Sequence, residues 1–178
     1  MKIKVDEIKV KPVIVSAEEP VCDYPALASA CDSGECEFTA PVKIDLTAAR
    51  EYDHIRVDGH VETTARLRCS RCLEVYETRI ASSFSLFYNK DSGAPLDDEI
   101  ELREEELSTI SYHGDYIDFT SELEDQLLME VPFKPLCKEE CKGLCGTCGA
   151  NLNEGDCGCS RGGPDFRFGA LKDFKINK

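Results

Sequence analysis

A dense cluster of cysteines constrains this chain more than any other feature of its sequence. Residues 137–159 hold six cysteines with the spacing Cys-x3-Cys-x3-Cys-x2-Cys-x8-Cys-x-Cys. The stretch Cys145-Gly146-Thr147-Cys148-Gly149 has the form of a zinc knuckle, in which two thiolates of a C-x-x-C turn converge on one ion. Its glycines suit a backbone that folds closely around a metal, because glycine adopts positive φ at little cost. The cluster therefore predicts a closed, structural zinc site.

The knuckle supplies only half of such a tetrahedral site, which needs four thiolates. Cys145 and Cys148 are two of them, and the other two come from four neighbouring cysteines: Cys137, Cys141, Cys157 and Cys159. We favour Cys157 and Cys159, because the polar turn at residues 151–155 brings them back toward the knuckle.

Dense cysteines also occur in disulfide frameworks and in redox dithiols. Residues 1–6 are followed by no apolar run of a secretory signal, so we expect a cytoplasmic protein whose thiols stay reduced. A redox C-x-x-C usually opens a helix after a strand, whereas Cys145 and Cys148 lie in a glycine-rich loop. Structural zinc is favoured, and a thiol-based redox or metal-handling protein is the alternative.

A second C-x-x-C, Cys69-Ser70-Arg71-Cys72, lies where two β-type runs meet and is predicted to form the tip of a hairpin. Alone it is half a metal site. If Cys137 and Cys141 are left over from the first site, they can join Cys69 and Cys72 around a second zinc ion. That ion would fasten the cysteine-rich tail to the β domain. The competing hypothesis is one zinc, with the hairpin cysteines as reduced thiols.

Alternating apolar residues predict an α+β, mainly β fold for the rest of the chain. Residues 1–15 indicate one or two short strands, and residues 41–88 have the period-2 pattern of long antiparallel strands. An antiparallel twisted sheet or a small open barrel would bury their apolar face. Residues 16–40 read as polar turns. They contain three cysteines in no metal-like spacing, interpreted as small buried or semi-exposed thiols: Cys22, Cys31 and Cys36.

One helix is predicted at about residues 121–131, packed across the open face of the sheet. Ser121-x-x-Glu124 fits a capping box, and Pro132 ends the helix. Before it, residues 89–106 read as an acidic exposed loop, and residues 107–119 as a hairpin. The predicted domains are 1–133, a β domain with this helix, and 134–178, a zinc-binding tail. A short amphipathic helix at residues 166–174 ends the tail and packs on the β domain or binds RNA or protein.

Charge and composition exclude several function classes. The net charge is −14, and residues 91–133 hold one arginine against 14 acidic residues, so broad affinity for phosphate backbones is not expected. No apolar run approaches the roughly 18 residues of a membrane span. The histidines, His54, His60 and His113, have no nucleophile or metalloprotease motif beside them. We expect no enzyme, no membrane partner and no small-molecule substrate.

Three stretches carry a resemblance to a known family: CSRCL at 69–73, MEVPFKPLC at 129–137, and CKGLCGTCGANLN from residue 141. In wording and order they resemble the YceD family, over a region from about Val42 to the C-terminus. That family is associated with accumulation of large-subunit ribosomal RNA in bacteria and plastids and has no assigned catalytic residues. Some members lack the C-terminal cysteines, which implies a scaffolding metal site. The resemblance implies a non-catalytic ribosome-biogenesis factor that binds large-subunit rRNA or a large-subunit ribosomal protein.

Overall fold

The structure, a computed structural model, describes residues 1–8, 11–32, 36–91 and 109–159. Within these ranges the strands are β1 (Lys2–Lys4), β2 (Val13–Glu19), β3 (Glu37–Phe38), β4 (Val42–Glu51), β5 (His54–Arg68), β6 (Val75–Lys90), β7 (Thr109–Tyr112) and β8 (Tyr116–Asp118). The α-helices are α1 (Pro25–Asp32) and α2 (Thr120–Glu130). The predicted C-terminal helix and most of the predicted acidic loop lie outside the described residues.

A six-stranded sheet forms the body of the protein. Its order is β2-β4-β5-β6-β7, and β3 pairs with β5 beyond the end of β4. All pairs are antiparallel except β6 with β7, which is parallel. A second, two-stranded sheet joins β1 to β8. The mainly β fold class is confirmed, and of the two predicted forms the chain adopts open sheets and not a barrel.

The alternation of the long strands buries one face of this sheet. Ile44 on β4, Val57 on β5 and Ile80 on β6 are each less than 4 % exposed, while the residue before and the residue after each of them in its strand is exposed or half-buried. Gly59 interrupts the apolar series on β5 because the ring of Phe84 occupies the space beside it. A Cβ at residue 59 would overlap that ring, so the close packing favours glycine.

Helix α2 covers the buried face, as predicted, and its bounds differ from the prediction by one residue at each end. Leu123 and Leu127 are fully buried. The capping box is wrong: the helix begins at Thr120, whose N–H and hydroxyl donate to the carboxylate of Asp118. Glu124 is buried and accepts a 2.9 Å hydrogen bond from the backbone N–H of Ala26, in the first turn of α1. That bond ties the two helices together.

Two predictions before α2 are also wrong. Residues 16–40 include β2 and the helix α1, which is eight residues long with one fully buried residue, Leu27, and so has little apolar periodicity to detect. The strands within 107–119 do not pair with each other. Strand β7 joins the edge of β6, whereas β8 pairs with the N-terminal strand β1. The backbone N–H of Val5, the residue after β1, also donates to the carbonyl of Asp115.

Neither described helix is long and apolar enough to cross a membrane.

Replacing Glu124 with alanine is expected to lower the free energy of unfolding by about 1–3 kcal/mol, because the N–H of Ala26 loses its buried acceptor. Glu124→Gln keeps an acceptor oxygen and is the matched control. Urea unfolding of both variants measures the difference. Equal stability of the two variants would contradict this role for the carboxylate.

Candidate metal centres

The β5–β6 hairpin ends in a turn that we call the first knuckle, Cys69 to Glu74. The N–H of Cys69 donates to the carbonyl of Glu74 at 2.8 Å, and the N–H of Leu73 donates to the carbonyl of Cys69 at 3.0 Å. Leu73 has φ +61°, a left-handed conformation that is rare for leucine. The hairpin predicted around Cys69 and Cys72 is therefore present, and both thiols lie at its tip.

The second knuckle, Cys145 to Ala150, repeats this backbone pattern position by position. The N–H of Cys145 donates to the carbonyl of Ala150 at 2.8 Å, and the N–H of Gly149 donates to that of Cys145 at 2.8 Å. Gly149 has φ +75° and stands where Leu73 stands in the first knuckle. A single bridge between Leu144 and Asn151 closes its base. The two C-x-x-C turns are thus the same local structure at the tips of a long and a minimal hairpin.

The structure brings four cysteines together at the first knuckle, and we call them the first group: Cys69, Cys72, Cys137 and Cys141. Their Sγ atoms all lie within 4.8 Å of one another. The Cys69–Cys141 pair is 3.7 Å apart, and the Cys72–Cys137 pair is 3.6 Å apart. A zinc ion with Zn–S bonds of about 2.3 Å requires sulfurs about 3.8 Å apart at the corners of a tetrahedron. The donor set and its spacing fit that ion.

The second knuckle gathers the other four, the second group: Cys145, Cys148, Cys157 and Cys159. Their Sγ atoms also lie within 4.8 Å of one another. Each group could therefore hold one metal ion. These are the two quartets that the two-site hypothesis requires. That they are metal ligands, and that the metal is zinc, stays a prediction.

The two groups differ in their surroundings. Cys69, Cys72 and Cys141 are at most 4 % exposed and form a small apolar cluster with Tyr76, Leu136 and Leu144. In the second group only Cys145 is buried, and Cys148 is exposed. An ion in the first group would be shielded from solvent, whereas one in the second group would lie near the surface.

Hydrogen bonds prepare Cys69, in the first group, for ionisation. Burial opposes the charged form of Cys69, but backbone N–H groups of Cys72 and Cys137 outweigh it, with a further contribution from Arg71, whose N–H lies 3.5 Å from the sulfur. Together they hold the pKa of Cys69 at about 6. A thiolate that is already stabilised by backbone donors is the form that binds a metal.

In the second group the backbone N–H groups of Cys148 and Thr147 act in the same way and hold the pKa of Cys145 at about 6. Hydrogen bonds with the neighbouring thiols of Cys148 and Cys157 raise the pKa of Cys159 to about 12, and burial and repulsion between charged sulfurs add to the effect. Without a bound cation, the four adjacent thiols therefore cannot all be ionised at neutral pH. A divalent cation removes this conflict, which favours metal binding over four free thiolates.

Backbone contacts hold residues 134–145 against the first knuckle. The N–H of Ser70 donates to the carbonyl of Pro135 at 2.8 Å. The guanidinium of Arg71 donates to the carbonyls of Glu139 and Cys141, at 3.2 and 2.9 Å. The cysteine-rich segment thus lies directly on the β5–β6 hairpin. The division into domains at residues 133 and 134 stays a prediction.

Two asparagines that follow the second knuckle contact the first knuckle and the first group. The Nδ2 of Asn153 donates to the Sγ of Cys141 at 3.3 Å and is the main cause of the lowered pKa of that thiol. Asn151 donates from Nδ2 to the carboxylate of Glu74 at 2.8 Å. The sequence indicated a turn here, but nothing in it indicated a donor to a cysteine of the other knuckle. Such outer donors orient and tune metal ligands.

The remaining cysteines and the histidines lie outside both groups. Cys22 is exposed, Cys31 is half-buried and accepts from the N–H of Phe38 at 3.4 Å, and Cys36 is buried in the main core. The histidines contact polar neighbours: His54 contacts Asp53, His60 contacts Ser83, and His113 contacts Asp91.

Gly143 makes a testable contact between the tail and the hairpin. Its φ is +74°, and a Cβ there would lie 3.0 Å from the carbonyl oxygen of Arg71, which accepts from the N–H of Leu144. Gly143→Ala is expected to destabilise the protein by about 1–2 kcal/mol, from the left-handed backbone alone. Gly155→Ala is the control, since nothing lies within 4 Å of its Cβ. Thermal unfolding compares them, and an unchanged Tm for Gly143→Ala would contradict this packing.

Comparison with known proteins identifies the family. A family model described as "Large ribosomal RNA subunit accumulation protein YceD" matches residues 57–175. The chain belongs to the YceD family. The match includes both knuckles and all eight cysteines of the two groups. The resemblance seen in the sequence is therefore confirmed.

Relatives of the chain occur in plants and bacteria. It is 28 % identical over 156 residues to "Large ribosomal RNA subunit accumulation protein YCED homolog 1, chloroplastic" of Arabidopsis thaliana (76 % of this chain, 49 % of the relative). The protein of that name in Zea mays is 29 % identical over 147 residues (68 % and 49 %). An uncharacterized protein of Mycobacterium leprae is 28 % identical over 120 residues (65 % and 51 %). The chain spans about half the length of these curated relatives, and no solved structure matches it.

Proposed function

We propose that this protein is a ribosome-biogenesis factor that supports accumulation of large-subunit ribosomal RNA, by binding that RNA or a large-subunit ribosomal protein. Membership of the YceD family carries the proposal. The family description and the names of both plant relatives refer to accumulation of the large ribosomal RNA subunit.

The proposal includes two structural zinc ions, one in each group of four cysteines. Four thiolates occupy all four coordination positions of a tetrahedral zinc ion and leave none for a substrate. This arrangement is typical of structural zinc and not of catalytic zinc. The ion of the first group would hold Cys137 and Cys141 of the tail on Cys69 and Cys72 of the hairpin. Zinc would thus supply folding energy, and residues 134–159 would take a fixed position on the sheet.

The proposed role is non-catalytic. The clusters of ionisable residues described above are closed cysteine groups and surface ion pairs, without a nucleophile and base beside an open site. Purified protein is expected to leave large-subunit rRNA intact. Turnover of that RNA by zinc-loaded protein, free of contaminating nuclease, would refute this part of the proposal.

Depletion of the protein in its own organism tests the function. We expect the ratio of large-subunit to small-subunit rRNA to fall, and precursors of the large subunit to accumulate. Re-expression of the wild-type chain should restore the ratio. In lysates the protein should co-sediment with large-subunit precursors. An unchanged rRNA ratio, together with protein that stays at the top of the gradient, would overturn the proposal.

One observation favours a second function, thiol-based redox or metal-handling chemistry. Cys148 is exposed and lies beside Cys145, whose pKa is held at about 6 by backbone donors. Metal content separates the two functions. Tightly bound, stoichiometric zinc favours the structural sites, whereas reversible disulfides that form at cellular potentials favour redox chemistry.

A further inference from the structure

An exposed apolar surface lies at the C-terminal end of helix α2. Met129 is 80 % exposed and Phe133 is 96 % exposed. Pro132 between them is exposed as well, and Val131 is half-buried. Large apolar side chains that stand together on a surface mark sites where another molecule binds. The packing of the described residues gives no role to the ring of Phe133.

Beside this surface lies a groove between the two helices and the end of β5, which we call the α2 groove. Its wall is apolar and includes Ala30, Leu67, Leu128, Val131, Phe133 and Pro135. Pro135 also accepts the hydrogen bond from Ser70 of the first knuckle. The first knuckle therefore contacts one edge of the groove.

The helices around the groove are acidic. Together they carry no lysine, arginine or histidine. Besides the buried Glu124 they hold four acidic residues at or near the surface: Asp32, Glu122, Asp125 and Glu130. Two basic residues follow lining residues in the sequence, Lys134 after Phe133 and Arg68 after Leu67, and the whole chain has a net charge of −14. An apolar groove beside acidic helices attracts a basic chain with apolar side chains and repels a phosphate backbone.

We infer that the α2 groove binds a basic, apolar-rich segment of a large-subunit ribosomal protein. The inference rests on the proposed function and chooses between its two partners, because the charge around the groove disfavours RNA. Apolar side chains of the segment would pack against Phe133 and Val131, and its lysines and arginines would face the acidic helices. Association should then weaken with ionic strength, since steering between opposite charges is screened by salt.

Site-directed photo-crosslinking in the zinc-loaded, full-length chain tests this inference. Phe133→p-benzoylphenylalanine places a reactive aromatic ring at the groove. Tyr52→p-benzoylphenylalanine is the matched control, because Tyr52 is an equally exposed aromatic residue at the β4–β5 turn. Each variant is irradiated separately with total protein extracted from purified large subunits and with deproteinised large-subunit rRNA. Mass spectrometry identifies the cross-linked peptides or nucleotides.

A cross-link from residue 133, but not from residue 52, to a lysine- and arginine-rich segment of one ribosomal protein supports the inference. Phe133→Asp should then weaken binding of that protein at least tenfold, and Tyr52→Asp should leave it unchanged. Cross-links to rRNA, to residues 160–178 of the same chain or to a second copy would each overturn the inference, as would no cross-link. Co-sedimentation of the wild-type protein with large-subunit precursors distinguishes failure of this inference from failure of the proposed function. If co-sedimentation persists, only the assignment of the groove is wrong.

Discussion

Replacing Cys69 with serine should remove one of two zinc ions per chain and detach the cysteine-rich segment from the sheet. The thiol of Cys69 is fully buried between the hairpin and the tail, 3.7 Å from Cys141. Zinc binding to a structural site of this kind contributes on the order of 10 kcal/mol to folding. Loss of a ligand therefore costs both metal and stability. Elemental analysis of purified protein should show a fall from two zinc ions to one.

Two variants serve as controls for this result. Cys22→Ser changes an exposed thiol outside both groups and should keep both ions. Cys148→Ser should also lose one ion, but from the second group, so that residues 134–141 stay on the hairpin and resist proteolysis. If Cys69→Ser keeps the full wild-type zinc content, the first group is not a metal site.

Removal of zinc by a strong chelator should release residues 134–159 while the six-stranded sheet stays folded. The sheet has its own core, which includes Ile44, Val57 and Leu123, whereas the tail is held by the thiols and by a few backbone hydrogen bonds. Hydrogen exchange measures the difference segment by segment. Amides of Ser70 and Leu144, which bond across the junction, should lose protection by at least a hundredfold. Amides of β4 and β5 should change little.

The same experiment has a clear contradictory outcome. If chelator unfolds the sheet together with the tail, the metal sites stabilise the whole molecule and not an attachment. If chelator changes no amide at all, the cysteine groups hold no structural ion. Reconstitution with zinc should restore protection at Ser70 and Leu144 to the original level.

The sequence predicted the long strands and the cysteine turns because each has a strong local signal. Period-2 alternation over residues 41–88 marks strands with one buried face. The C-x-x-C turn at Cys69 follows from its place between two such runs. The grouping of Cys137 and Cys141 with this hairpin was one of two hypotheses that the sequence left open, and it rested on a count, since four ligands fill one site and two cysteines remained.

The missed features depend on contacts between distant segments. Strand β7 lies parallel to β6, and β8 pairs with β1 at the start of the chain, so neither pairing leaves a local pattern. Glu124 has the spacing of a capping residue, yet its carboxylate bonds to α1. Asn153 is of a residue type common in turns, yet its side chain also donates to the thiol of Cys141. For the strands and for Glu124 a tertiary contact replaced the local one that the sequence predicted, whereas Asn153 keeps its local bonds to Asn151 and adds a distant one.

Native mass spectrometry of the intact, freshly purified chain tests the central claim, that eight cysteines form two zinc sites. We expect one dominant species that carries two zinc ions, with the protons of eight thiols lost on binding. Denaturation in acid should release both ions and return the mass of a chain with 11 free thiols. A dominant species with no zinc, or one that is lighter by the hydrogens of several disulfides, would contradict the account.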